Sequence, residues 1–351
     1  MQHITGLSDI LSKHQYTIIA SDVYGVLHDG ANPYPYSREC LKKLHDHNLE
    51  TILLSNSSRL GHILADDLER KYGIDKTTYN RVLSSGDVTR QFLQNCLDQM
   101  LNSSPSNDHS NTVDCSATML LKNTSRPLSP QEFTQNHLKT GRFHLIGTKE
   151  YHEPLYEHLA PHIKPVPLDC KDDIDFVLVG LLTNLPHQPE SVDINDPDSV
   201  RQHYQIYLKQ CLSKDVPLVI ANPDVYAPNG MNSDGTQRLV VCPGFIAELY
   251  QEMGGKVLYF GKPFATIYRY LLSDVEQQQQ QQQVSRVLCI GDNVSTDVLG
   301  ARQAGLDVAL ILGGIHNIST TDNESITSQV DQLCTKYQSP KPTYTMQYLQ
   351  F

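Results

Sequence analysis

The sequence lacks several features that mark specialised classes of protein. It contains no tryptophan, and no stretch approaches the roughly 20 apolar residues that a membrane-spanning helix needs. The N-terminus lacks the basic-then-apolar order of a signal peptide, and the eight cysteines form no C-x-x-C pair. No basic run is available for a phosphate backbone, and 28 Lys and Arg against 39 Asp and Glu give a net charge of −11. We therefore expect a cytoplasmic protein with reduced cysteines and with neither nucleic acid nor a membrane as partner.

The first part of the chain shows alternating strand and helix patterns. The 351 residues, of which 39% are hydrophobic and 19% charged, suggest a globular protein of two domains. A strand is predicted from Tyr16 to Ala20 and another from Thr51 to Leu54, with a short helix between them. An amphipathic helix follows from Leu60, with Gly73 as its C-cap. This alternation predicts an α/β fold with a parallel sheet.

The same alternation returns near the C-terminus, after a different middle region. Apolar strands are predicted at 257–260, 287–290 and 308–312, with helices between them. In the middle, residues 102–140 are rich in Ser, Asn, Thr, Asp and Pro, which predicts a mobile insertion. Strands at 143–147 and 174–180 with a helix at 200–212 predict a small α/β unit. The glutamine run 277–283 has no apolar anchor and is expected on the surface.

Two candidate functional segments lie just after predicted strands of the first part. Asp22 opens the segment D-V-Y-G-V-L-H-D-G, in which Gly25 permits the tight turn that would hold a reactive carboxylate. A turn or cap role for this aspartate is equally open. Ser55 and Asn56 supply a hydroxyl and backbone N–H groups that could hold phosphate oxygens, with an ordinary helix cap as the alternative. Arg59, three positions further on, could assist in binding an anion, although a solvated side chain is the favoured interpretation.

Two further segments follow strands of the last part. Lys262, fixed between Gly261 and Pro263, could neutralise a phosphoryl group or neighbouring carboxylates. Asp292 and Asp297 flank a turn and a helix start, a spacing that suits an oxygen-ligated Mg²⁺, although Asp297 could serve only the helix dipole. All four segments are expected at the carboxyl edge of one sheet, where open α/β sheets bind ligands.

These segments together resemble the haloacid dehalogenase (HAD) superfamily. The motifs D-V-Y-G-V-L-H-D-G, L-L-S-N-S-S-R, A-N-P-D, F-G-K-P and G-D-N-V-S-T-D-V-L-G-A-R occur in the order typical of that superfamily. Their wording looks like subfamily IIA, the group of para-nitrophenyl phosphatases and related sugar-phosphate or nucleotide phosphatases. The resemblance covers most of the chain except 102–140 and the glutamine run.

The resemblance implies a Rossmann-like, doubly wound parallel sheet with an inserted α/β cap domain of the C2 type. Ser55 follows Asp22 by only 33 positions, whereas Lys262 follows Ser55 by 207, so the cap is expected in the second gap. We place the first part of the core at 1–84, the cap at 85–221 and the second part of the core at 222–351. The segment Ala221 to Asp224 would return the chain to the core, with a simple Asn-Pro turn as the alternative. A homodimer formed through the cap is compatible with the resemblance.

The resemblance also implies a role for each candidate residue. Asp22 would attack phosphorus and form an aspartyl-phosphate, which water then hydrolyses. Ser55 would hold a phosphoryl oxygen, assisted by Asn56, and Lys262 would offset the negative charge. The implied cofactor is Mg²⁺, and the substrate is a small phosphorylated metabolite. The implied metal ligands are Asp22, Asp292 and the backbone carbonyl of Tyr24, with Asn293, Asp297 and Gly25 in support.

Tyr24 departs from the family pattern. Most HAD phosphatases carry a second aspartate at this position, which serves as the general acid for the leaving alkoxide. Since general acid catalysis commonly contributes about 10² to 10⁴ in rate, hydrolysis of alkyl phosphates should be impaired. The chain could favour good leaving groups or recruit His28 or Asp29 as the acid. Two alternatives stay open: a catalytically weak protein that binds a ligand or partner, and a metal-independent haloacid dehalogenase.

Overall fold

The computed structural model describes residues 1–14, 16–101, 113–121, 124–186, 188, 190–233, 237–278, 286–318 and 322–351. Two seven-stranded sheets and a separate two-stranded hairpin organise these residues. No helix within these ranges is both long and apolar enough to cross a membrane. All eight cysteines fall inside them and are free, as expected.

The first sheet is entirely parallel and forms the core domain. In chain order its strands are β1 (Gln2–His3), β2 (Ile18–Ser21), β3 (Glu50–Ser55), β4 (Arg81–Ser84), β14 (Val287–Gly291), β15 (Asp307–Ile311) and β16 (Tyr344–Met346). Their spatial order is β1-β16-β15-β14-β2-β3-β4. The chain therefore builds outwards from β2 on one side and from β14 on the other. This doubly wound order confirms the predicted fold and places its switch point between β2 and β14.

Helices cover both faces of the core sheet. They are α1 (Ser8–His14), α2 (Ser37–Asp46), α3 (Gly61–Tyr72), α4 (Ser85–Leu101), α9 (Ala265–Gln278), α10 (Leu299–Gln303) and α11 (Asn323–Lys336). Gly73 caps α3 in the left-handed conformation, with a φ of 61°, as the sequence predicted. The strands β2, β3 and β14 are buried along nearly their whole length, which is why they read as continuous apolar runs.

The second sheet and the hairpin form the cap. The strands of this sheet are β5 (Ala117–Leu121), β6 (Thr124–Leu128), β7 (Arg142–Ile146), β8 (Lys164–Val166), β9 (Phe176–Val179), β10 (Leu218–Ile220) and β13 (Lys256–Tyr259). The hairpin pairs β11 (Tyr226–Met231) with β12 (Gln237–Val241). The cap helices are α5 (Pro130–His137), α6 (Lys149–Tyr156), α7 (Pro197–Ser213) and α8 (Pro243–Glu252).

Two predictions about the cap need correction. The cap does not end at residue 221, because β13 pairs with β10 and β5 of the second sheet rather than with a core strand. The segment 102–140 is not a mobile insertion throughout: 113–140 includes the β5–β6 hairpin and α5, while 102–112 and 122–123 lie outside the described residues. Four of the five residues of β6 are exposed, so its composition resembles that of a loop. Of the glutamine run, Gln277 and Gln278 end α9 and the rest lies outside the described residues.

The two sheets share apolar packing through α4. Val88, Phe92 and Cys96 of this helix belong to one buried cluster that also contains Ile52 of the core sheet and Leu258 of the cap sheet. The ring of Phe92 lies 5.0 Å from that of Phe260, just after β13. Because this cluster is continuous, the cap is packed against the core beside the edge of the sheet where the candidate motifs lie.

Candidate active site

The switch point of the core sheet brings the first and fourth motifs together. Asp22 follows β2 and Asp292 follows β14, two neighbouring strands in which Ser21 pairs with Ile290. The backbone N–H of Asp22 donates to the carbonyl of Ile290 over 2.8 Å, which extends this pairing by one residue. Both carboxylates therefore emerge at the same carboxyl edge, as the strand pattern predicted.

A cluster of three carboxylates occupies this edge. Asp22, Asp292 and Asp297 each place an oxygen within 4.8 Å of the others. Asp292 and Asp297 are only 3% exposed. Lys262 lies between two of these acids, with its ammonium 2.6 Å from Oδ1 of Asp22 and 2.7 Å from Oδ1 of Asp297. One cation thus faces three buried acids.

The lysine is held in this position by its neighbours. Its ammonium donates to the carbonyl of Leu54, the last residue but one of β3, over 2.9 Å. The side chain of Asn56 accepts from the backbone N–H of Lys262 at 2.8 Å and donates to its carbonyl at 2.9 Å. The third motif, which follows the cap strand β13, is therefore held at the core sheet by hydrogen bonds between Lys262 and the end of β3.

Burial and crowding disfavour ionisation of the acids when no metal is bound. Burial, followed by repulsion from Asp297, raises the pKa of Asp22 to about 7. Burial and the charge of Asp22 raise the pKa of Asp292 well above its ordinary value. Burial opposes the charge of Lys262, but its two carboxylate partners outweigh that effect and raise its pKa. If fully ionised, these three acids and one lysine would carry an excess of negative charge. Their carboxylate oxygens are the ligands that a hard divalent cation prefers.

Glycines leave room for the acids. A side chain at Gly25 would overlap the carboxylate of Asp292, and its φ of +79° is one that other residues rarely adopt. A side chain at Gly314 would overlap the same aspartate from the other side. The backbone N–H of Ile315 donates to Oδ2 of Asp292 over 2.7 Å. Asp292 is therefore closely surrounded by backbone, and Gly25 supports the site because it has no side chain to collide with this carboxylate.

The loop after β14 holds Asp297 in place. This residue lies in a π-helical turn, Val294–Val298, and its Oδ2 accepts from the backbone N–H of Asn293 over 3.0 Å. The side-chain oxygen of Asn293 accepts from both the backbone and the hydroxyl of Ser295. Asn293 thus caps this turn, and the support that its side chain gives to the site is structural.

The second motif lies beside the cluster, with its two residues used differently. Ser55 is 1% exposed at the end of β3, and its hydroxyl accepts from the backbone N–H of Ser57 over 3.2 Å. The amide of Asn56 is engaged by Lys262 and also donates to Oδ1 of Asp224 over 2.8 Å. The Asn56 side chain therefore links the loops that carry Lys262 and Asp224. A phosphate contact by this residue would have to come from its backbone. No local sequence pattern predicts this link, because its two residues lie 168 positions apart and meet only on folding.

Asp224 of the A-N-P-D segment is a fourth acid near the cluster. Burial raises its pKa to about 6, and Asn56 and Lys262 counter this effect only in part. Its backbone N–H donates to Oδ1 of Asn222 over 3.0 Å, which is the Asn-Pro turn that the sequence offered as an alternative. The segment is both that turn and a neighbour of the reactive acids.

The two residues considered as replacement acids do not suit that role. The ring of His28 is fully buried, 3.9 Å from the ring of Tyr72, and burial lowers its pKa to about 3. The carboxylate of Asp29 accepts from the backbone N–H groups of Ala31 and Asn32 and so caps its own turn. The structure therefore favours neither residue as the acid, because the loop folds both side chains inward, where they stabilise the loop itself.

Arg59 is not solvated, in contrast to the sequence-based expectation. Its side chain is 16% exposed, pairs with Asp67 and donates from Nη2 to the hydroxyl of Tyr24 over 3.1 Å. The local sequence could not reveal this contact because Tyr24 and Asp67 lie on different elements.

A cavity of about 370 Å³ opens beside the cluster, between core and cap. Tyr24, Ser57 and Arg59 contribute its core side. The cap contributes the residues Tyr151, His152, Leu181, Ile194, Asn222, Asp224, Pro228, Asn229, Val240 and Cys242. A larger, open depression of about 950 Å³ lies beside α11 and His3, at the far edge of the core sheet. Of these two, the smaller cavity borders the predicted chemistry, through Tyr24 and Asp224.

Hydrogen bonds fasten the cap over this cavity. The hydroxyl of Ser58 lies 3.1 Å from Nε2 of His152 and donates to the carbonyl of Gly180 over 2.9 Å. The backbone N–H of Gly230 donates to the carbonyl of Asp29 over 2.8 Å. The cavity is therefore covered on two sides by cap elements that bond directly to core loops.

Comparison with known proteins agrees with this arrangement. A model of the haloacid dehalogenase-like hydrolase family matches residues 19–103, and a HAD-hydrolase-like model matches residues 259–336. Ribonucleotide monophosphatase NagD of Escherichia coli (strain K12) is 27% identical over 104 residues, which are 30% of this chain and 40% of that relative. The chain thus matches less than half the length of this curated relative.

Solved structures share the fold over nearly the whole chain. A haloacid dehalogenase-like hydrolase from Brucella suis 1330 superimposes with a TM-score of 0.65 at 24% identity, covering 99% of both chains. A structure described as a possible sugar phosphatase of the HAD superfamily, from Cytophaga hutchinsonii, gives a TM-score of 0.64 at 17% identity and covers 99% of this chain and 98% of that one. At these identities the similarity establishes the fold.

The matched segments contain the residues that form the carboxylate edge. Asp22 and Ser55 lie in the first segment, and Lys262, Asp292 and Asp297 lie in the second. The doubly wound sheet, the inserted cap and the two family models agree, so the chain is similar to the haloacid dehalogenase-like hydrolases in its fold and in these two matched segments.

Proposed function

We propose that the protein is a Mg²⁺-dependent phosphohydrolase of HAD subfamily IIA that acts on a small phosphorylated metabolite through an aspartyl-phosphate at Asp22. The observation that carries this proposal is the cluster of Asp22, Asp292 and Asp297 within 4.8 Å, with Lys262 between two of them. A nucleophilic carboxylate, a divalent cation and a fixed ammonium are together what transfer of a phosphoryl group to an aspartate requires.

Each residue of the cluster has a distinct part in this reaction. Asp22 supplies the attacking oxygen. The ammonium of Lys262, already 2.6 Å from that carboxylate, attracts the phosphoryl oxygens and orients the substrate beside it. Ser55 lies at the end of the neighbouring strand, where its hydroxyl can donate to a phosphoryl oxygen.

The cluster also fits the implied cofactor. Asp22, Asp292 and the backbone carbonyl of Tyr24 would hold Mg²⁺, with Asp297 and the Asn293 turn in support. When bound, the ion neutralises phosphoryl charge and so lets two anions, the carboxylate and the phosphate, approach each other.

The nature of the substrate is supported by the cavity and by the similar proteins. A volume of about 370 Å³ is at the small end of ligand pockets. The relatives described as a ribonucleotide monophosphatase and a possible sugar phosphatase also point to small phosphate esters. We expect the protein to work in the cytoplasm, and a homodimer through the cap stays a prediction from the family resemblance.

The proposal is tested by hydrolysis of para-nitrophenyl phosphate, an activated aryl phosphate, with Mg²⁺ and with excess chelator. We expect turnover only with the metal, and its loss in Asp22→Asn. Asp172→Asn, an exposed aspartate whose only recorded partner is Arg142 at 3.3 Å, is the matched control and should keep full activity. Absence of turnover across acyl, aryl, sugar and nucleotide phosphates would instead favour a binding protein. Metal-independent dehalogenation of a haloacid would favour the third alternative.

A further inference from the structure

Tyr24 and Arg59 form a hydrogen-bonded pair on the wall of the cavity. Nη2 of Arg59 donates to the phenol oxygen of Tyr24 over 3.1 Å, and both residues line the cavity between core and cap. Tyr24 is two positions after Asp22, so this pair is close along the chain to the carboxylate that would attack phosphorus.

The charge of Arg59 is only partly compensated. Its partner Asp67 also accepts from Nη2 of Arg70 over 2.5 Å and from the ammonium of Lys71 over 3.2 Å. One carboxylate therefore serves three cations. Arg70 is 73% exposed and solvated, whereas Arg59 is 16% exposed and lines the cavity. The guanidinium thus gives this wall a positive potential, which is strengthened by its burial.

The geometry also orients the phenol. Because Arg59 donates to the Tyr24 oxygen, that oxygen acts as an acceptor on this side, and its own O–H is directed elsewhere. An ordinary phenol keeps its proton at neutral pH. The hydroxyl is therefore a hydrogen-bond donor with a cation bonded to its oxygen, on the wall of the cavity between core and cap.

We propose that the Tyr24–Arg59 pair binds the leaving oxygen of the substrate as an anion, and that the substrates are accordingly aryl or acyl phosphates. This inference rests on the proposed phosphohydrolase function and deepens it. A carboxylic acid at position 24 would give a proton to the leaving oxygen, whereas a polarised phenol stabilises negative charge there without giving up its proton.

The step balances without an added acid. An oxygen of the Asp22 carboxylate forms a bond to phosphorus, the bond between phosphorus and the leaving oxygen breaks, and its electron pair stays on that oxygen. The leaving group departs as a phenolate or carboxylate, held by the Tyr24 hydroxyl. Water then attacks phosphorus and yields dihydrogen phosphate and the free Asp22 carboxylate. Leaving groups that are much less basic than an alkoxide, such as carboxylates and phenolates, suit this step, which disfavours the esters of ordinary alcohols.

The remaining cavity wall suits a single-ring leaving group. Leu181, Ile194 and Val240 give it an apolar surface, and Tyr151 adds an aromatic ring. A volume of about 370 Å³ leaves little room beyond a phosphorylated ring of ordinary size. Shape and electrostatics therefore favour the same chemical class.

The test measures kcat/KM with Mg²⁺ for a series of substituted phenyl phosphates, from nitrophenyl to unsubstituted phenyl, together with acetyl phosphate and glycerol phosphate. The variants are Tyr24→Phe, Arg59→Met and Arg59→Lys. Arg70→Met is the matched control for Arg59, because Arg70 also pairs with Asp67 but is exposed. Tyr226→Phe is the control for Tyr24, because it removes a phenol hydroxyl outside the cavity.

We expect the wild-type protein to hydrolyse aryl and acyl phosphates at least about 10²-fold faster than glycerol phosphate. Tyr24→Phe and Arg59→Met should lower kcat/KM for phenyl phosphate about 10- to 10²-fold, with a smaller loss for nitrophenyl phosphate, so that the rate depends more steeply on leaving-group acidity. The kcat/KM of Arg59→Lys should lie between those of Arg59→Met and the wild type, and both controls should match the wild type.

Three results would overturn the inference. First, the wild type could be active while Tyr24→Phe and Arg59→Met, folded as judged by circular dichroism, keep its rates and its dependence on leaving-group acidity. That result would refute the role of the pair and leave the phosphohydrolase function intact. Equal rates for glycerol phosphate and phenyl phosphate would do the same for the substrate class. A wild-type protein inactive on every phosphate would remove the proposed function itself and the inference with it.

Discussion

The buried acids should make the metal-free protein less stable as the pH rises from about 5 to about 8. In the folded protein the pKa of Asp22 is about 7, whereas an aspartate in an unfolded chain titrates near 3.9. Between these values the folded state binds more protons than the unfolded state, so the free energy of unfolding falls with rising pH. Asp292, whose pKa is also raised, adds to the loss in the same direction.

The size of the effect follows from the pKa difference. About three pKa units at 1.36 kcal/mol each set an upper limit of about 4 kcal/mol for Asp22 alone, reached as the pH passes through 7. Surface acids such as Asp9 and Asp75 have lowered pKa values and act in the opposite sense. Their contribution is lost only at more acidic pH. Buried histidines such as His28 have lowered pKa values and add stability as the pH rises through this window, so the effect of the acid is isolated by comparing the wild type with Asp22→Asn.

The assay is urea unfolding at several pH values, with and without Mg²⁺, for the wild type and Asp22→Asn. Metal ligands must be deprotonated to bind, so the stabilisation by Mg²⁺ should grow with pH and offset the loss seen without it. Asp22→Asn removes one titrating group, so the free energy of unfolding of the wild type minus that of the variant should fall as the pH rises. This reasoning is refuted if the free energy of unfolding of the wild type minus that of Asp22→Asn stays flat or rises with pH. It is also refuted if the stabilisation by Mg²⁺ is independent of pH.

Three further predictions concern single residues. Gly25→Ala should displace Asp292 and weaken Mg²⁺ binding at least tenfold by calorimetry, and unchanged affinity would contradict the recess seen around that acid. His152→Phe should remove the bond to Ser58 and lower the free energy of unfolding by about 1–2 kcal/mol in urea titrations, with an unaltered midpoint as the opposing result. Tyr24→Asp should raise the rate on alkyl phosphates by restoring an acid, and an unchanged or lower rate with folding and Mg²⁺ binding intact would count against our account of Tyr24.

The carboxylate edge was predictable because its information is local. Asp22 and Asp292 come directly after short apolar strands and Ser55 ends another, and parallel strands end at one edge of a sheet. The order of the motifs then indicated the superfamily. The same local pattern misled at β13, since an apolar run is equally suited to a core sheet and to a cap sheet, and its pairing with β10 and β5 is decided by contacts far away in sequence.

Other parts of the site depend on contacts that no local pattern records. Asn56 joins Lys262 and Asp224 across more than 150 positions, and Arg59 reaches Tyr24 from another loop. The polar segment 113–140 reads as a loop because β6 is an exposed edge strand. In each case the residue type permits several partners, and the packing of cap on core selects one.

The central claim, covalent catalysis by Asp22, is tested most directly by the stereochemistry of the reaction. A phosphorothioate ester made chiral with two oxygen isotopes would be hydrolysed with Mg²⁺ in water that carries the third isotope, and the configuration of the released thiophosphate determined. Each in-line displacement inverts phosphorus, so attack by Asp22 followed by attack by water predicts net retention. Net inversion would mean that water attacks the substrate directly, and it would contradict the account.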